Sequence, residues 1–287
     1  MPPRGVLLAA DALGLACYAA AGAKRRDAVR RAYREYAEVT GQSLDPRRAA
    51  RRFWRNRRLL GVGPALARYG SESLVRGLVR VDGWEHVAAS LAAGRGAVLA
   101  SVHAGAGGLP AAWAARMGVR VTTARTHVER YAGTVHGDHM FFGTEPVFVE
   151  ANGEVDASAL KAGLATLRAN GIASVLCDQK FGGRGIEMTL FGRRAIYRTG
   201  FLELARLAGA PAIPAFGFLD GGRLRIEYHP GVTIAGPADI VEFVERFRAL
   251  HEKRLRESPG CLSFMGFESE LFCPWAAPSL ANRFGPF

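Results

Sequence analysis

The sequence predicts an α/β protein with a central, mostly parallel sheet flanked by helices, preceded by an N-terminal helical region. Two short apolar runs, 98–102 and 172–177, have the length of buried strands, and a helical pattern adjoins each of them. The chain has 287 residues, 49% of them hydrophobic, which suffices for one full core. We therefore expect a helical region over 1–80 and one continuous α/β unit over 81–287.

The sequence of the N-terminal region predicts helices, several of them rich in arginine. Residues 5–23 are apolar except for Asp11, but the segment is short for a spanning helix, which needs about 20 apolar residues. We expect it to pack on protein, and a helix lying on a membrane surface is the open alternative. Asp45-Pro46 predicts a capped helix start. Residues 27–69 predict amphipathic helices whose basic face either is solvated or docks an acidic carrier or an anionic membrane.

The formal net charge of +12 favours an anionic partner such as phospholipid headgroups, acyl carrier protein, coenzyme A or nucleic acid. Nearly all of this charge is arginine, a pattern that together with the high alanine and glycine content is typical of a GC-rich genome. The charge by itself therefore identifies no partner. The sequence contains no helix-turn-helix, zinc-finger or RNA-binding aromatic motif, so we expect no binding of nucleic acid.

Residues 98–108 combine a strand, a histidine and a glycine-rich turn. The apolar run ends at His103, and the turn leads into an alanine-rich segment with helical spacing. His103 is thus predicted at the carboxyl end of a strand, where open α/β sheets bind ligands. A neutral imidazole there is suited to general base catalysis near pH 7. The alternative is a core histidine bonded to a backbone carbonyl.

Two further strands are predicted to carry acidic residues to an edge of the sheet. Residues 172–177 lead to Asp178, and residues 146–150 end at Glu150. Because parallel strands share their carboxyl edge, we expect Asp178 to lie close to His103. The alternative for Asp178 is a turn or capping carboxylate.

Motifs spread over residues 81–232 resemble the lysophospholipid acyltransferase superfamily, and most closely its lipid A late-acyltransferase branch. In order, they are Val81-Asp-Gly83 with Glu85-His86, Leu91 with Gly94-Arg-Gly96, the strand ending at His103, Met117-Gly118-Val119, Asp178-Gln179, Leu190-Phe191-Gly192 with Thr199-Gly200, Ala212-Ile213-Pro214 and Tyr228-His229-Pro230. The resemblance implies a glycerolipid acyltransferase-like fold. It also implies transfer of an acyl group from an acyl carrier protein or coenzyme A thioester, as co-substrate and without another cofactor, to a hydroxyl or amine.

The sequence departs from this family at one catalytic position. The family signature is a histidine followed, after four residues, by an aspartate or glutamate that orients the imidazole; here Gly108 stands in that place. We expect Asp178 first, and Glu150 second, to supply the missing carboxylate, and Gly108→Glu to raise acyl transfer. The departure leaves a second hypothesis open: the scaffold serves another reaction on a small anionic or carrier-bound substrate, or acts as a non-catalytic partner subunit. Natural-product or lipid biosynthesis suits either hypothesis.

Six residues are predicted to bind the substrate: Arg125, Gln179, Lys180, Arg193, Arg194 and Arg198. The resemblance places Arg125 near the mouth of the active site, where a guanidinium binds phosphate or carboxylate, although a surface arginine is the alternative. The loop 180–185 is rich in glycine but lacks the residues of a P-loop. The other three arginines lie within residues 190–200, which resemble a loop of the family that precedes a helix over the acyl-binding cleft. They concentrate positive charge just before a predicted helix at 200–207, whose N-terminal amides can receive an anion.

Neither histidine nor cysteine spacing predicts a metal site. The set His127, His136, Asp138 and His139 matches no established ligand spacing, so we predict no metal. The four cysteines are scattered along the chain, a pattern typical of a reducing cytoplasm. We expect a cytoplasmic protein, with peripheral contact at the inner membrane face left open.

Overall fold

Four helices form the N-terminal part of the computed structural model, which describes residues 3–126, 142–149, 157–178 and 185–259. They are α1 (Pro3–Ala20), α2 (Ala23–Thr40), α3 (Pro46–Tyr69) and α4 (Glu72–Leu78). The predicted start of α3 is confirmed: Pro46 opens the helix, and the Asp45 carboxylate accepts the Arg47 amide at 2.8 Å. Within the described residues, no helix combines the length and the apolar character needed to cross a bilayer.

The N-terminal helices pack closely on one another and on the rest of the chain. A Cβ atom at Gly14 of α1 would lie 2.6 Å from the Cα atom of Arg55 in α3, so the two helices approach closely only because this residue is glycine. Tyr33 of α2 meets Phe53 of α3 edge to face, with ring centroids 6.4 Å apart. These buried rings belong to the same hydrophobic core as the strands that follow.

Ten strands follow in the described residues. They are β1 (Val79–Asp82), β2 (Ala97–Ser101), β3 (Val121–Thr126), β4 (Glu145–Val149), β5 (Ile172–Leu176), β6 (Gly185–Leu190), β7 (Arg193–Arg198), β8 (Pro211–Asp220), β9 (Arg223–Tyr228) and β10 (Val232–Thr233). Eight of them form one sheet in the order β1-β9-β8-β2-β5-β3-β4, with β10 beside β8. Among these described strands, every pairing is parallel except those of β8 with β9 and with β10. The predicted mostly parallel sheet is confirmed.

Five helices flank the sheet in the described part of this α/β unit. They are α5 (Trp84–Ala92), α6 (Leu109–Arg116), α7 (Ala157–Arg168), α8 (Gly200–Ala208) and α9 (Pro237–Glu257). The longest, α9, covers the sheet through aromatic rings: Phe247 stacks on Phe216 of β8 at 5.4 Å and on Phe243 of its own helix at 5.9 Å. The division of the chain near residue 80 stays a prediction.

One part of the fold differs from the sequence-based expectation. Residues 190–200 were expected to form a loop, but β6 and β7 pair as an antiparallel hairpin apart from the main sheet. Its turn lies at Phe191 and Gly192, which both have positive φ, 50° and 74°. The alternation of exposed and covered residues along β6 is that of a strand with one face on the core.

Candidate active site

The register between β2 and β5 positions the two central residues of the site. Ser101 stands opposite Leu176 at the carboxyl ends of these parallel strands, and the Cys177 amide donates to the Ser101 carbonyl at 2.8 Å. His103 and Asp178 each follow this pair by two residues. Both therefore leave the sheet at the same edge and at the same level, as the sequence predicted.

His103 and Asp178 are in direct contact. The distance from His103 Nδ1 to Asp178 Oδ1 is 2.7 Å, and the backbone amide of His103 donates to the two carboxylate oxygens at 3.0 and 2.9 Å. Asp178 is fully buried, whereas 14% of the His103 side chain is exposed. Because an ionised carboxylate can only accept, Nδ1 carries the proton and Nε2 keeps its lone pair. The imidazole is thus held in the tautomer that a general base requires.

The charge of Asp178 is maintained by its histidine partner. Burial alone raises the pKa of this carboxyl, but the positive charge that the His103 ring carries in its protonated form, and the hydrogen bonds from the ring and the backbone amide, outweigh that effect and hold the pKa below its usual value. Asp178 is consequently ionised at neutral pH, as an orienting carboxylate must be.

The turn after His103 is packed tightly against β8. Gly105 has φ +76°, and a Cβ atom there would collide with the carbonyl oxygen of Gly217. The Ala106 amide donates to that same carbonyl at 2.8 Å. Gly108 differs, since its φ is −81° and the nearest atom to an added Cβ would be Pro64 Cγ at 3.9 Å. The position of the missing family acid therefore has room for a side chain.

A second buried polar pair, Tyr197 and His251, lies near Asp178. The Tyr197 hydroxyl is 3.0 Å from His251 Nδ1, and β7 reaches the site because the Arg198 amide donates to the Cys177 carbonyl at 2.8 Å. Burial lowers the pKa of His251 to about 4, and burial together with the charge of Asp178 raises the pKa of Tyr197 well above its usual value. Sequence reasoning missed this pair. The spacing of His251 from Phe243 and Phe247 on α9 was an available signal of a buried histidine.

The predicted substrate-binding arginines of β7 have different surroundings. Arg193 forms an ion pair with Glu35 of α2, and Arg194 pairs with Glu187 of β6 at 2.5 Å. Arg198 is partly buried, and that burial lowers the pKa of its guanidinium. Two of the three predicted cations thus already meet a carboxylate.

The remaining candidate residues of the sequence analysis lie on β3 or outside the described part of the chain. Arg125 belongs to β3, the strand beside β5. Seven others lie outside the described residues: His127, His136, Asp138, His139, Glu150, Gln179 and Lys180. Within the described part of the chain, no group of three or more His, Cys, Asp or Glu residues is arranged to hold a metal ion.

The profile of a known family covers this whole site. The sequence profile of the bacterial lipid A biosynthesis acyltransferases matches residues 44–261 of the chain. The chain belongs to this family. Membership in the lipid A biosynthesis acyltransferase family indicates acyltransferase activity, and the matched range includes His103, the glycine-rich turn and Asp178. A comparison with curated proteins finds no match.

Proposed function

We propose that this lipid A biosynthesis acyltransferase family member transfers an acyl group from an acyl carrier protein or coenzyme A thioester to a hydroxyl or amine acceptor in natural-product or lipid biosynthesis. The observation that carries the proposal is the contact of 2.7 Å between His103 Nδ1 and a buried, ionised Asp178. The dyad supplies an oriented base at the carboxyl edge of a parallel sheet, where ligands bind in such folds. The thioester is a co-substrate, and the reaction needs no other cofactor.

The step follows from the tautomer of His103. Nε2 accepts the proton of the acceptor hydroxyl while the hydroxyl oxygen attacks the carbonyl carbon of the thioester. This attack forms a C–O bond and gives a tetrahedral intermediate. Asp178 stabilises the imidazolium formed in this step. Collapse of the intermediate breaks the C–S bond, and His103 returns the proton to the departing sulfur. The products are an ester and a free thiol. An amine acceptor gives an amide in place of the ester, and the amine can lose its proton after it has attacked the thioester.

Asp178 replaces the acid that the family signature places at the position of Gly108. The replacement is chemically sufficient, because the role of that acid is to accept a hydrogen bond from Nδ1 and to balance the positive charge of the ring. Asp178 also accepts the His103 backbone amide, so the carboxylate fixes the main chain and the ring together. Glu150 remains the second candidate for this role.

Binding of the thioester donor is assigned to the six residues that the sequence predicts for it: Arg125, Gln179, Lys180, Arg193, Arg194 and Arg198. Guanidinium groups suit the phosphates of coenzyme A or of the pantetheine arm of a carrier protein. Arg193 and Arg194 would exchange their carboxylate partners Glu35 and Glu187 for phosphate when the donor binds.

The test is incubation of the purified chain with acyl carrier protein thioesters or acyl-coenzyme A and a panel of hydroxyl and amine acceptors. Mass spectrometry should detect acylated acceptor, and thiol release should match it mole for mole. The loss of the signature acid at Gly108 favours a second candidate, a different reaction on a small anionic or carrier-bound substrate. Donor consumption without acylated acceptor would establish that candidate, and no conversion of any donor would indicate the non-catalytic partner role.

A further inference from the structure

The hairpin of β6 and β7 lies beside the candidate active site without belonging to the main sheet. Among the described strands, these two pair only with each other. The hairpin reaches the site through a backbone hydrogen bond, from the Arg198 amide to the Cys177 carbonyl at 2.8 Å. The amide of Cys177 in turn donates to the Ser101 carbonyl of β2 at 2.8 Å. Because Asp178 is the next residue, the position of its carboxylate depends on where β7 lies.

The pair of Tyr197 and His251 fastens β7 to α9. Tyr197 precedes Arg198 in β7, and its hydroxyl lies 3.0 Å from His251 Nδ1. The Tyr197 ring meets His251 and Phe247 edge to face, with ring centroids 6.1 and 5.7 Å apart. Tyr197 is 1% exposed, and His251 is completely buried. A continuous chain of contacts therefore leads from α9 through β7 to the Asp178 carboxylate.

Packing alone does not account for polar groups at these two positions. His251 follows Phe243 and Phe247 at intervals of four residues on the buried face of α9. Burial lowers the pKa of His251 to about 4, so its hydrogen bond with Tyr197 joins two uncharged groups at neutral pH. Nε2 of His251 is buried and has no hydrogen-bond partner within the described residues. Apolar side chains of similar shape at both positions would be about as stable, or more so, which indicates a role of the pair beyond packing.

We infer that Tyr197 and His251 are positioning residues, whose hydrogen bond holds β7 against the end of β5 and thereby keeps the Asp178 carboxylate on Nδ1 of His103. Both act through Asp178 and not on the substrate. The contact between Asp178 and His103 has to persist while the ring gains and loses a proton in each cycle, and such contacts depend on the hydrogen bonds that support them. The effect on turnover rests on the proposed acyl transfer, whereas the placement of the carboxylate can be measured without turnover.

Tyr197→Phe tests the inference by two measurements on the full chain. The proton on His103 Nδ1, which is shared with Asp178, should give a proton NMR resonance downfield of the backbone amides, identified by its loss in His103→Ala. In Tyr197→Phe this proton should exchange with water about tenfold faster, because the carboxylate leaves Nδ1 more often once the hydrogen bond is lost. In acyl transfer, kcat should fall about tenfold while KM stays within about twofold, since only the step that uses the base is affected.

The matched control is Tyr36→Phe. Tyr36 of α2 is also fully buried, and its hydroxyl donates to the Leu255 carbonyl at 2.7 Å, one turn after His251 on the same helix. The control removes a buried hydroxyl from α9 without changing the contact of α9 with Tyr197. The exchange rate of the His103 proton and kcat should both stay within about twofold of those of the unmodified chain.

Replacement of both partners separates positioning from structural support. Tyr197→Phe with His251→Leu leaves neither group of the pair buried without its partner, so the midpoint of thermal unfolding should equal or exceed that of the unmodified chain. The faster proton exchange and the lower kcat should persist, because β7 is still not fastened to α9. His251→Gln should keep more turnover than His251→Leu, since its amide can still bond the Tyr197 hydroxyl.

The two measurements have separate consequences. Unchanged exchange of the His103 proton in Tyr197→Phe, or changes equal to those in Tyr36→Phe, would overturn the inference. Loss of the native circular dichroism spectrum in Tyr197→Phe or in the double variant would also overturn it, because the pair would then be part of the structural core. Faster exchange in a chain that acylates no acceptor would support the positioning role and refute only the proposed reaction.

Discussion

Asp178→Asn is the substitution that isolates the role of the buried carboxylate. Asparagine has the same size as aspartate and keeps one oxygen that can accept the hydrogen bond of the His103 amide. In the unmodified chain this amide donates to both carboxylate oxygens, at 3.0 and 2.9 Å. It loses the charge opposite Nδ1, which lies 2.7 Å away. The amide group of asparagine can donate to Nδ1, which would place the ring proton on Nε2 and remove the lone pair that accepts the substrate proton.

The expected loss follows from these contacts. Turnover in the thiol-release assay should fall by about 10² to 10⁴, the range for removing a general base or its orienting carboxylate. Stability should fall far less, by about 1–2 kcal/mol, because a hydrogen bond to a charged group contributes about 1.5–3 kcal/mol and the amide contact is retained. The pKa of Asp178 lies below its unfolded value of 3.8, so the stabilisation by the carboxylate is present above that pH. It should disappear as the pH falls through the lower folded pKa.

The assay pairs steady-state thiol release with thermal unfolding of the same preparations. Asp239→Asn is the matched control, because the Asp239 carboxylate also accepts two backbone amides, those of Ala235 and Gly236 at 2.8 Å, at the start of α9. It should keep full turnover. A folded Asp178→Asn protein whose turnover stays within about threefold of the unmodified chain would refute the orienting role, since that role predicts at least a 10²-fold loss.

Three further outcomes follow from the surroundings of the site. Gly105→Ala should lower the free energy of unfolding, measured by denaturant titration, by about 3 kcal/mol or more, because Gly105 has positive φ and no space for a Cβ atom. The matched control Gly94→Ala should lower it by only about 1–2 kcal/mol, because Gly94 has positive φ but open space around it. Equal losses in the two variants would show that the turn is not packed. The pKa of the buried His251 is about 4, against 6.5 in the unfolded chain. Between these two pH values only the unfolded state takes up the proton, so the free energy of unfolding should fall by about 3 kcal/mol as the pH drops from 6.5 to 4. His251→Gln should remove this pH dependence of the free energy of unfolding. The same pH dependence in the variant and the unmodified chain would contradict the burial of His251. Gly108→Glu, which the sequence alone predicts to raise acyl transfer, should change thiol release by no more than about twofold, because Asp178 already occupies Nδ1 of His103. A tenfold gain would show that an acid at position 108, as in the family signature, orients the ring better than Asp178 does.

The pairing of His103 with Asp178 was within reach of the sequence because both residues follow short apolar runs that read as buried parallel strands. Parallel strands end at one edge, which is enough to predict proximity. The distance of 2.7 Å between Nδ1 and Oδ1 was not predictable. It depends on the register that places Ser101 opposite Leu176, and the two apolar runs contain no residue that fixes that alignment.

Contacts between distant segments account for what sequence reasoning missed. Arg193 was assigned to the substrate because arginines cluster around it, but nothing local indicates that Glu35, in another helix, forms an ion pair with it. Tyr197 lies in an arginine-rich strand whose charges mask its alternation, so the local pattern did not correct the loop that the family resemblance implied. The contact of Tyr197 with His251 forms only when α9 packs across the sheet.

The most direct test of the central claim is the turnover of His103→Ala with the acyl donor and acceptor identified by mass spectrometry. If Nε2 of His103 is the base, thiol release and acylated acceptor should both fall by about 10² to 10⁴, while the circular dichroism spectrum remains that of the unmodified chain. A folded His103→Ala protein that retains full turnover would show that His103 is structural and would contradict the mechanism, even with the fold and the family unchanged.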